Sequence, residues 1–338
     1  MRVLLLAGGD SSERRVSLDS GKAVYEALRR LGHKVYAIDP STGRSLLTSD
    51  GSFIEHKSDP AARTPVPKSK TWSLANALGS PGFTDIEVVF ITLHGGSGEN
   101  GKIQCLLDLA GKKYTGSNMA ASAIAMDKAV AKKLSIAENI QTPEFALYRT
   151  KGKKIDERLG QEICQRFKFP IIVKPNDGGS TIGLSKVESA EALPEALEKC
   201  KKETDDILVE KYIKGREITA AVLDGKALPL VEIKPKKGLY DFEAKYTKGM
   251  SDYIVPAEID KDAAASIQQA ALRIYNVIGA TGLVRVDFIL DEDNQYFFLE
   301  LNTLPGMTEL SLAPMAANAV GIGFDDLVNK LMNSAMHR

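Results

Sequence analysis

Residues 283–311 read LVRVDFILDEDNQYFFLELNTLPGMTELS, and their pattern decides how the rest of the chain is understood. Leu283 to Leu290 and Gln295 to Leu301 are rich in β-branched and aromatic residues, with the turn-forming run Asp291-Glu292-Asp293-Asn294 between them. This predicts a β-hairpin. Side chains alternate faces along a strand, so Arg285 and Asp287 share one face of the first strand, and Glu300 and Asn302 share one of the second. A four-residue loop pairing Leu290 with Gln295 sends all four the same way, whereas a one-residue slip separates them. Converging Asp, Glu and Asn oxygens are hard ligands of the kind that hold Mg²⁺ against substrate phosphates. The plainer reading is a pair of salt-bridged or edge-strand acids. Against it stand the cost of burying unpaired carboxylates in apolar strands and the rigid turn Asn302-Thr303-Leu304-Pro305-Gly306, which offers the backbone N–H of Gly306.

Working outward, the 338 residues exceed one compact core and predict two or three domains. The chain carries 44 basic and 44 acidic residues, so no global field draws it to nucleic acid or an anionic membrane. Cys105, Cys164 and Cys200 are scattered without a CxxC pair, which argues against zinc and against a disulfide framework. The apolar run Val3 to Leu6 meets Gly8-Gly9 too soon for a signal peptide, and no stretch reaches membrane-span length. These features predict a cytoplasmic α/β enzyme acting on small molecules.

Toward the N-terminus, Val3 to Leu6 predicts a buried parallel strand, followed by a helix ended by Gly32 and a second strand from His33 to Ile38. This βαβ opening lacks GxGxxG. Ser41 to Ser80 reads as loops and an exposed flap. A strand over Ile86 to Leu93 leads into the glycine-rich run His94-Gly95-Gly96-Ser97-Gly98-Glu99-Asn100-Gly101 and a helix from Ile103 to Leu109. Ala121 to Lys133 predicts a helix carrying Met126-Asp127-Lys128. Phe169 to Pro175 is a strand, and Asn176 to Gly183 is a loop whose backbone N–H groups suit phosphate, with Lys174 adding a point charge. Ile207 to Ile213 is another strand, with Glu217 in the next. Lys236 to Gly249 has the character of a lid.

Asp287-Phe288-Ile289-Leu290 followed by Leu299-Glu300-Leu301-Asn302-Thr303-Leu304-Pro305-Gly306-Met307-Thr308 resembles the ATP-grasp ligases, and within them the D-alanine-D-alanine ligase family. The resemblance runs from Leu5 to about Leu331 and is weakest between Ser41 and Ser80. It implies an N-terminal Rossmann-like α/β domain over 1–115 on the side of the first substrate. Two α+β units that sandwich ATP follow, over 116–206 and over 207–338. Its implied activity is the ATP-dependent joining of two D-alanines through an acyl phosphate for peptidoglycan precursors. A related ligase using D-lactate or D-serine, or a nucleotide-binding protein without catalysis, remain alternatives.

The resemblance also implies roles. In the motif over Gly8 to Ser17, Glu13 holds the ammonium of the first D-alanine, and His94 sits beside that substrate. Lys128 and Lys174 meet ATP phosphates, Glu210, Lys211 and Ile213 the adenine, and Glu217 the ribose. Ser180 joins Glu13 and Tyr246 in a hydrogen-bond chain, and Lys245 reaches the γ-phosphate. Mg²⁺, with Mn²⁺ as a substitute, is held by Asp287, Glu300 and Asn302. Arg285 and the Gly306 N–H serve the oxyanion, and Ser311 takes the second substrate's carboxylate. The implied assembly is a homodimer. Arg15, Asn100, Gly178 and Thr181 depart from the family pattern.

Overall fold

The computed structural model describes residues 1–55, 81–152, 155–236 and 249–337. Lys245 and Tyr246, and with them most of the expected lid, lie outside the described residues.

The N-terminal sheet has the order β3-β2-β1-β4-β5, built from β1 (Arg2–Leu6), β2 (Lys34–Asp39), β3 (Arg44–Ser45), β4 (Val88–Ile91) and β5 (Lys113–Tyr114). All pairings are parallel except β2 with β3. Val3 to Leu6 are fully buried, as a parallel strand covered on both faces requires. One cover is α1 (Arg14–Arg30), which buries Leu18, Val24, Ala27 and Leu28 at helical spacing. The other is α3 (Lys102–Leu109), reached through the short α2 (Gly96–Glu99). Ser41 to Ser80 was expected to be loops and an exposed flap, yet its first part folds in. Leu46 and Phe53 are buried against the α1 side of the sheet, because β3 turns back on β2.

Residues predicted as one helix form two, α4 (Met119–Met126) and α5 (Lys128–Ala137). Asp127 is extended, and its side chain accepts the Val130 N–H as an N-cap. The break therefore puts Lys128 at the first position of a fresh helix.

Two antiparallel sheets follow, and they face each other. The first has the order β6-β9-β7-β8, from β6 (Phe145–Arg149), β7 (Ile171–Pro175), β8 (Ser185–Val187) and β9 (Asp206–Lys211). Its back is covered by α6 (Glu157–Arg166) and α7 (Leu193–Lys201), which bury Ile171, Val173, Ile207 and Val209. By alternation, Ile172, Lys174 and Glu210 face the other way. The second sheet has the order β13-β12-β10-β14-β15. It comprises β10 (Arg216–Leu223), β11 (Lys226–Ala227) paired on its side, β12 (Val231–Pro235), β13 (Ser251–Ile254), β14 (Leu283–Leu290) and β15 (Tyr296–Asn302). Helix α8 (Lys261–Ile278) covers Val284, Val286 and Phe288.

The hairpin differs from expectation in one residue. Leu290 pairs with Tyr296, so five residues lie between the paired ends. That slip alone would turn Glu300 and Asn302 away from Asp287. A β-bulge at Leu299 absorbs the extra residue: Phe288 pairs with Phe298, but Asp287 pairs with Glu300 and Arg285 with Asn302.

Packing crosses the linear divisions expected at 115 and 206. Helices α4 and α5 join the core of the β10–β15 sheet, and β9 completes the β6–β9 sheet. The C-terminal helices α9 (Leu312–Asn318) and α10 (Phe324–Met336) share one core with β1, α1 and β4. Arg30 of α1 forms a two-pronged ion pair with Asp325 at 2.7 and 2.8 Å.

Gly21 marks the tightest approach of α1 to β1, since a Cβ there would lie 2.5 Å from the Ala7 Cβ. Alanine gains about 1 kcal/mol in helix propensity over glycine, but overpacking a rigid core costs about 1–3 kcal/mol. Gly21→Ala is therefore expected to lower the unfolding free energy by up to about 2 kcal/mol. Urea unfolding measures this, and a raised midpoint contradicts the packing.

Candidate active site

Asp287 is the centre of the polar face of the hairpin. Thr219 of the neighbouring β10 donates to its Oδ1 at 2.6 Å. Arg285 donates from Nε to Oδ1 at 2.9 Å and from its terminal nitrogen to Oδ2 at 3.0 Å, and Asn302 Nδ2 donates to Oδ2 at 3.1 Å. Arg285 is turned along this face and is only 17% exposed. Glu300, beside Asp287, pairs with the Lys128 ammonium at 3.1 Å. The sequence-predicted Asp287, Glu300, Asn302 and Arg285 are thus brought together on one side of the sheet. Among the described residues no three His, Cys, Asp or Glu side chains cluster as metal ligands. The donor set here is two carboxylates and one amide, hard oxygens that suit Mg²⁺, and each carboxylate already faces a cationic group.

Across the cleft, the ammonium of Lys174 lies 2.8 Å from Glu210 Oε2. The other carboxylate oxygen of Glu210 lies 2.8 Å from Lys132 Nζ. Burial would raise the Glu210 carboxyl, but Lys132 and Lys174 outweigh it and hold the group below its ordinary range. Burial also pulls Lys132 down to about 8, helped by the neighbouring Lys174 and opposed by Glu210. For Lys128 burial acts in the same direction, yet Glu300, Glu210 and Glu13 reverse it and raise the ammonium above its ordinary value. Its Nζ also donates to the Gly178 carbonyl at 2.5 Å.

A cleft of about 1090 Å³, counting solvent at its mouth, separates the two antiparallel sheets. Lys128, Lys174 and Ser180 line it, as do Glu210 and Lys211 from β9 of the first sheet, Ile213 from the connection that follows and Glu217 from β10 of the second, with Asp287 and Glu300 on the floor. A smaller cleft of about 380 Å³ is lined by Glu13, Glu99, Met126, Asn302 and Thr303. The two share Lys128, Gly178, Gly179 and Glu300.

Glu13 stands at the start of α1, and its Oε1 accepts the Ser180 hydroxyl in a short hydrogen bond. A Cβ at Gly95 would lie 2.6 Å from Glu13 Oε2, and one at Gly179 would also collide with it, so both glycines give the carboxylate its seat. The preceding loop is fixed by Arg14, whose guanidinium meets the buried Asp39 at 2.7 Å while Asp39 accepts the Gly9 N–H. His94, expected beside the first substrate, is buried with both ring nitrogens engaged: Nδ1 with the Leu304 carbonyl at 2.8 Å and Nε2 with Ser20 Oγ at 3.0 Å. A carbonyl only accepts, so Nδ1 carries the proton and Nε2 accepts from Ser20. Ser20 in turn accepts the Met307 N–H at 3.1 Å. Burial lowers the imidazole's proton affinity against the pull of Glu13. Ser311 stands at the N-cap position of α9 without capping it: its Oγ instead accepts from Thr308 N at 3.1 Å and lies beside Gly306.

Sequence reasoning missed Lys132 and Glu99. Lys132 had a signal, because it stands four residues after Lys128 and so shares its helix face. Glu99 lies inside the loop that follows β4. Its oxygens accept the Gly95 N–H at 2.7 Å and the Leu304 N–H at 3.0 Å. Burial, then repulsion by Glu13, pushes its carboxyl up to about 7 despite those donors.

Two facing antiparallel sheets, a glycine-rich loop at one end and a carboxylate pair on the floor define a ligase of the ATP-grasp class. The family described as D-ala D-ala ligase N-terminus is matched over residues 2–117, and D-ala D-ala ligase C-terminus over 134–333. The chain belongs to the D-alanine-D-alanine ligase family. It is 40% identical to the D-alanine--D-alanine ligase of Syntrophotalea carbinolica, covering 100% of this chain and 97% of that one. It is 41% identical to the enzyme of that name in Gloeobacter violaceus, covering 99% and 100%. Among solved structures, the Bacillus anthracis D-alanine--D-alanine ligase complexed with ATP matches with a TM-score of 0.78 at 28% identity, covering 100% of this chain and 98% of that one. The VanG D-Ala:D-Ser ligase of Enterococcus faecalis matches with 0.77 at 27%, covering 99% of each.

Glu99 has a consequence for stability. A carboxyl whose proton affinity is raised on folding stabilises the fold below its unfolded pKa and loses that contribution as pH rises through the folded value of about 7. Unfolding free energies of wild type and Glu99→Gln, compared at pH 5 and pH 8, are expected to show wild type losing up to about 3 kcal/mol relative to the variant. A constant difference contradicts the assignment.

Proposed function

We propose that the chain joins two D-alanines into D-alanyl-D-alanine at the expense of ATP, for peptidoglycan precursors, in the cytoplasm and as a homodimer. The observation that carries this reading is the shared wall of the two clefts. The larger cleft between the sheets and the smaller one beside Glu13 meet at Lys128, Gly178, Gly179 and Glu300. That is the arrangement needed to hand a phosphoryl group from one substrate to another. Among the described residues no helix is long and apolar enough to cross a membrane.

A carboxylate does not condense with an amine in water until one oxygen becomes a leaving group. In this reading the carboxylate of the first D-alanine attacks the γ-phosphorus of ATP, giving an acyl phosphate and ADP. Glu13, held by Ser180 and by the glycines around it, takes the first substrate's ammonium. Lys128, Lys174 and Lys245 face the charge on the phosphates, and Glu210, Lys211, Ile213 and Glu217 hold the nucleoside. Asp287, Glu300 and Asn302 would hold Mg²⁺, or Mn²⁺ in its place, which would supply charge neutralisation at those phosphates.

The amine of the second D-alanine, placed by Ser311 at its carboxylate and having given up its ammonium proton, then attacks the acyl carbon. The tetrahedral oxyanion is met by Arg285 and the Gly306 N–H, and phosphate leaves as the amide forms. In this reading Tyr246 excludes water so that the acyl phosphate is not hydrolysed, while His94 holds the turn before Gly306 through the Leu304 carbonyl.

Mass spectrometry of the product formed from ATP, Mg²⁺ and D-alanine is expected to show the dipeptide, with phosphate release greater for D-alanine as acceptor than for D-serine or D-lactate. ATP turnover without dependence on D-alanine overturns the reading. Arg285→Ala is expected to lower turnover on the order of 100-fold, as for the loss of one oxyanion donor. Near-normal turnover refutes that role.

A further inference from the structure

Lys132 is the only charged side chain among the described residues with 0% exposure. It lies behind the wall of the larger cleft rather than on it, while Lys174 and Glu210 form part of the lining. Burying an ammonium so deeply is costly unless every proton is used. An ammonium has three to give. It donates to Thr142 Oγ1 at 2.7 Å and to the Phe298 carbonyl at 3.3 Å, and its charge is met by an ion pair with Glu210 Oε1 at 2.8 Å. Thr142 itself donates to the Phe298 carbonyl at 2.8 Å, so two of the three supports are locked to each other. They come from the segment before β6 and from β15, the edge strand of the opposite sheet.

The ammonium is thus a tripod with one foot on the Thr142 hydroxyl, one on the Phe298 backbone carbonyl and one on a carboxylate that lines the cleft. The other oxygen of that carboxylate holds Lys174 at 2.8 Å. We infer that Lys132 is a positioning residue for the nucleotide: through Glu210 it fixes where both that carboxylate and the Lys174 ammonium stand at the cleft wall. This rests on the reading that the larger cleft takes ATP. The competing account is a core lysine that ties β9, β15 and the Thr142 segment together and matters to all substrates alike.

A double-mutant cycle separates the two. Steady-state kinetics are measured on the full chain as wild type, Lys132→Gln, Glu210→Gln and the double variant. Lys132→Gln is expected to raise KM for ATP on the order of tenfold or more, the scale for losing a group that orients a ligand-binding side chain, with KM for D-alanine changed by less than about twofold. On the Glu210→Gln background the same change is expected to cost less than about twofold, since its intermediary is already altered. Equal costs in both backgrounds, or parallel changes in both KM values, overturn the inference. If Lys132→Gln does not fold, Thr142→Val, which keeps the lysine and removes one support, runs the same cycle with a smaller expected rise in KM for ATP, and additivity with Glu210→Gln overturns it. Wild type that does not saturate with ATP sinks the nucleotide reading and this inference together, whereas wild-type saturation with an additive cycle sinks this inference alone.

Discussion

One extra residue in β15 governs the polar floor of the molecule. Strand pairing has a strict period of two, so parity decides whether Glu300 lies with Asp287 or against α8. The bulge at Leu299 sets that parity. With Leu299 and Glu300 together opposite Asp287, the acids, Asn302 and Arg285 come to one face, and Val286, Phe288, Phe298 and Leu301 keep the other for the core. Carboxylates and hydrophobic packing would otherwise compete for the same side of the sheet. Arg285 from the same strand, with Thr219 and Asn302 from the two neighbouring strands, then holds Asp287 in place.

A second constraint is how charge is carried in the walls. The larger cleft is bounded by ion pairs that are themselves largely buried, Lys174 with Glu210 on one sheet and, on the other side, Lys128 of α5 with Glu300 of β15. Such pairs add little to stability and cost much when one partner is removed. Their worth lies in fixed direction, which suits a site that must align two substrates. The smaller cleft follows the same logic with a different balance, since Glu13 and Glu99 stand close enough for one to raise the proton affinity of the other.

Much of this architecture was legible in the residues. Alternation in Leu283 to Leu301 gave the hairpin and its polar face, and the buried run Val3 to Leu6 with the helix after it gave the parallel sheet. The bulge was not legible, because turn length and ladder register trade against each other with no local mark in the sequence. Nor was the break at Asp127, where an N-cap interrupts a run that is helical on both sides. Lys132 was passed over because a helical lysine is ordinarily solvated, and only the convergence of Thr142, Phe298 and Glu210 from distant segments makes its burial tolerable. The inward fold of Leu46 and Phe53 was hidden among the Pro, Gly and Ser around them.

The docking of α10 on α1 ties the first strand of the chain to a helix some three hundred residues later, through the Arg30–Asp325 pair and a shared apolar layer. During synthesis, Val3, Leu18 and Phe90 leave the ribosome long before Leu327, Val328 and Leu331 exist to cover them. The apolar flank of the opening βαβ unit therefore emerges bare and stays so until those later residues follow.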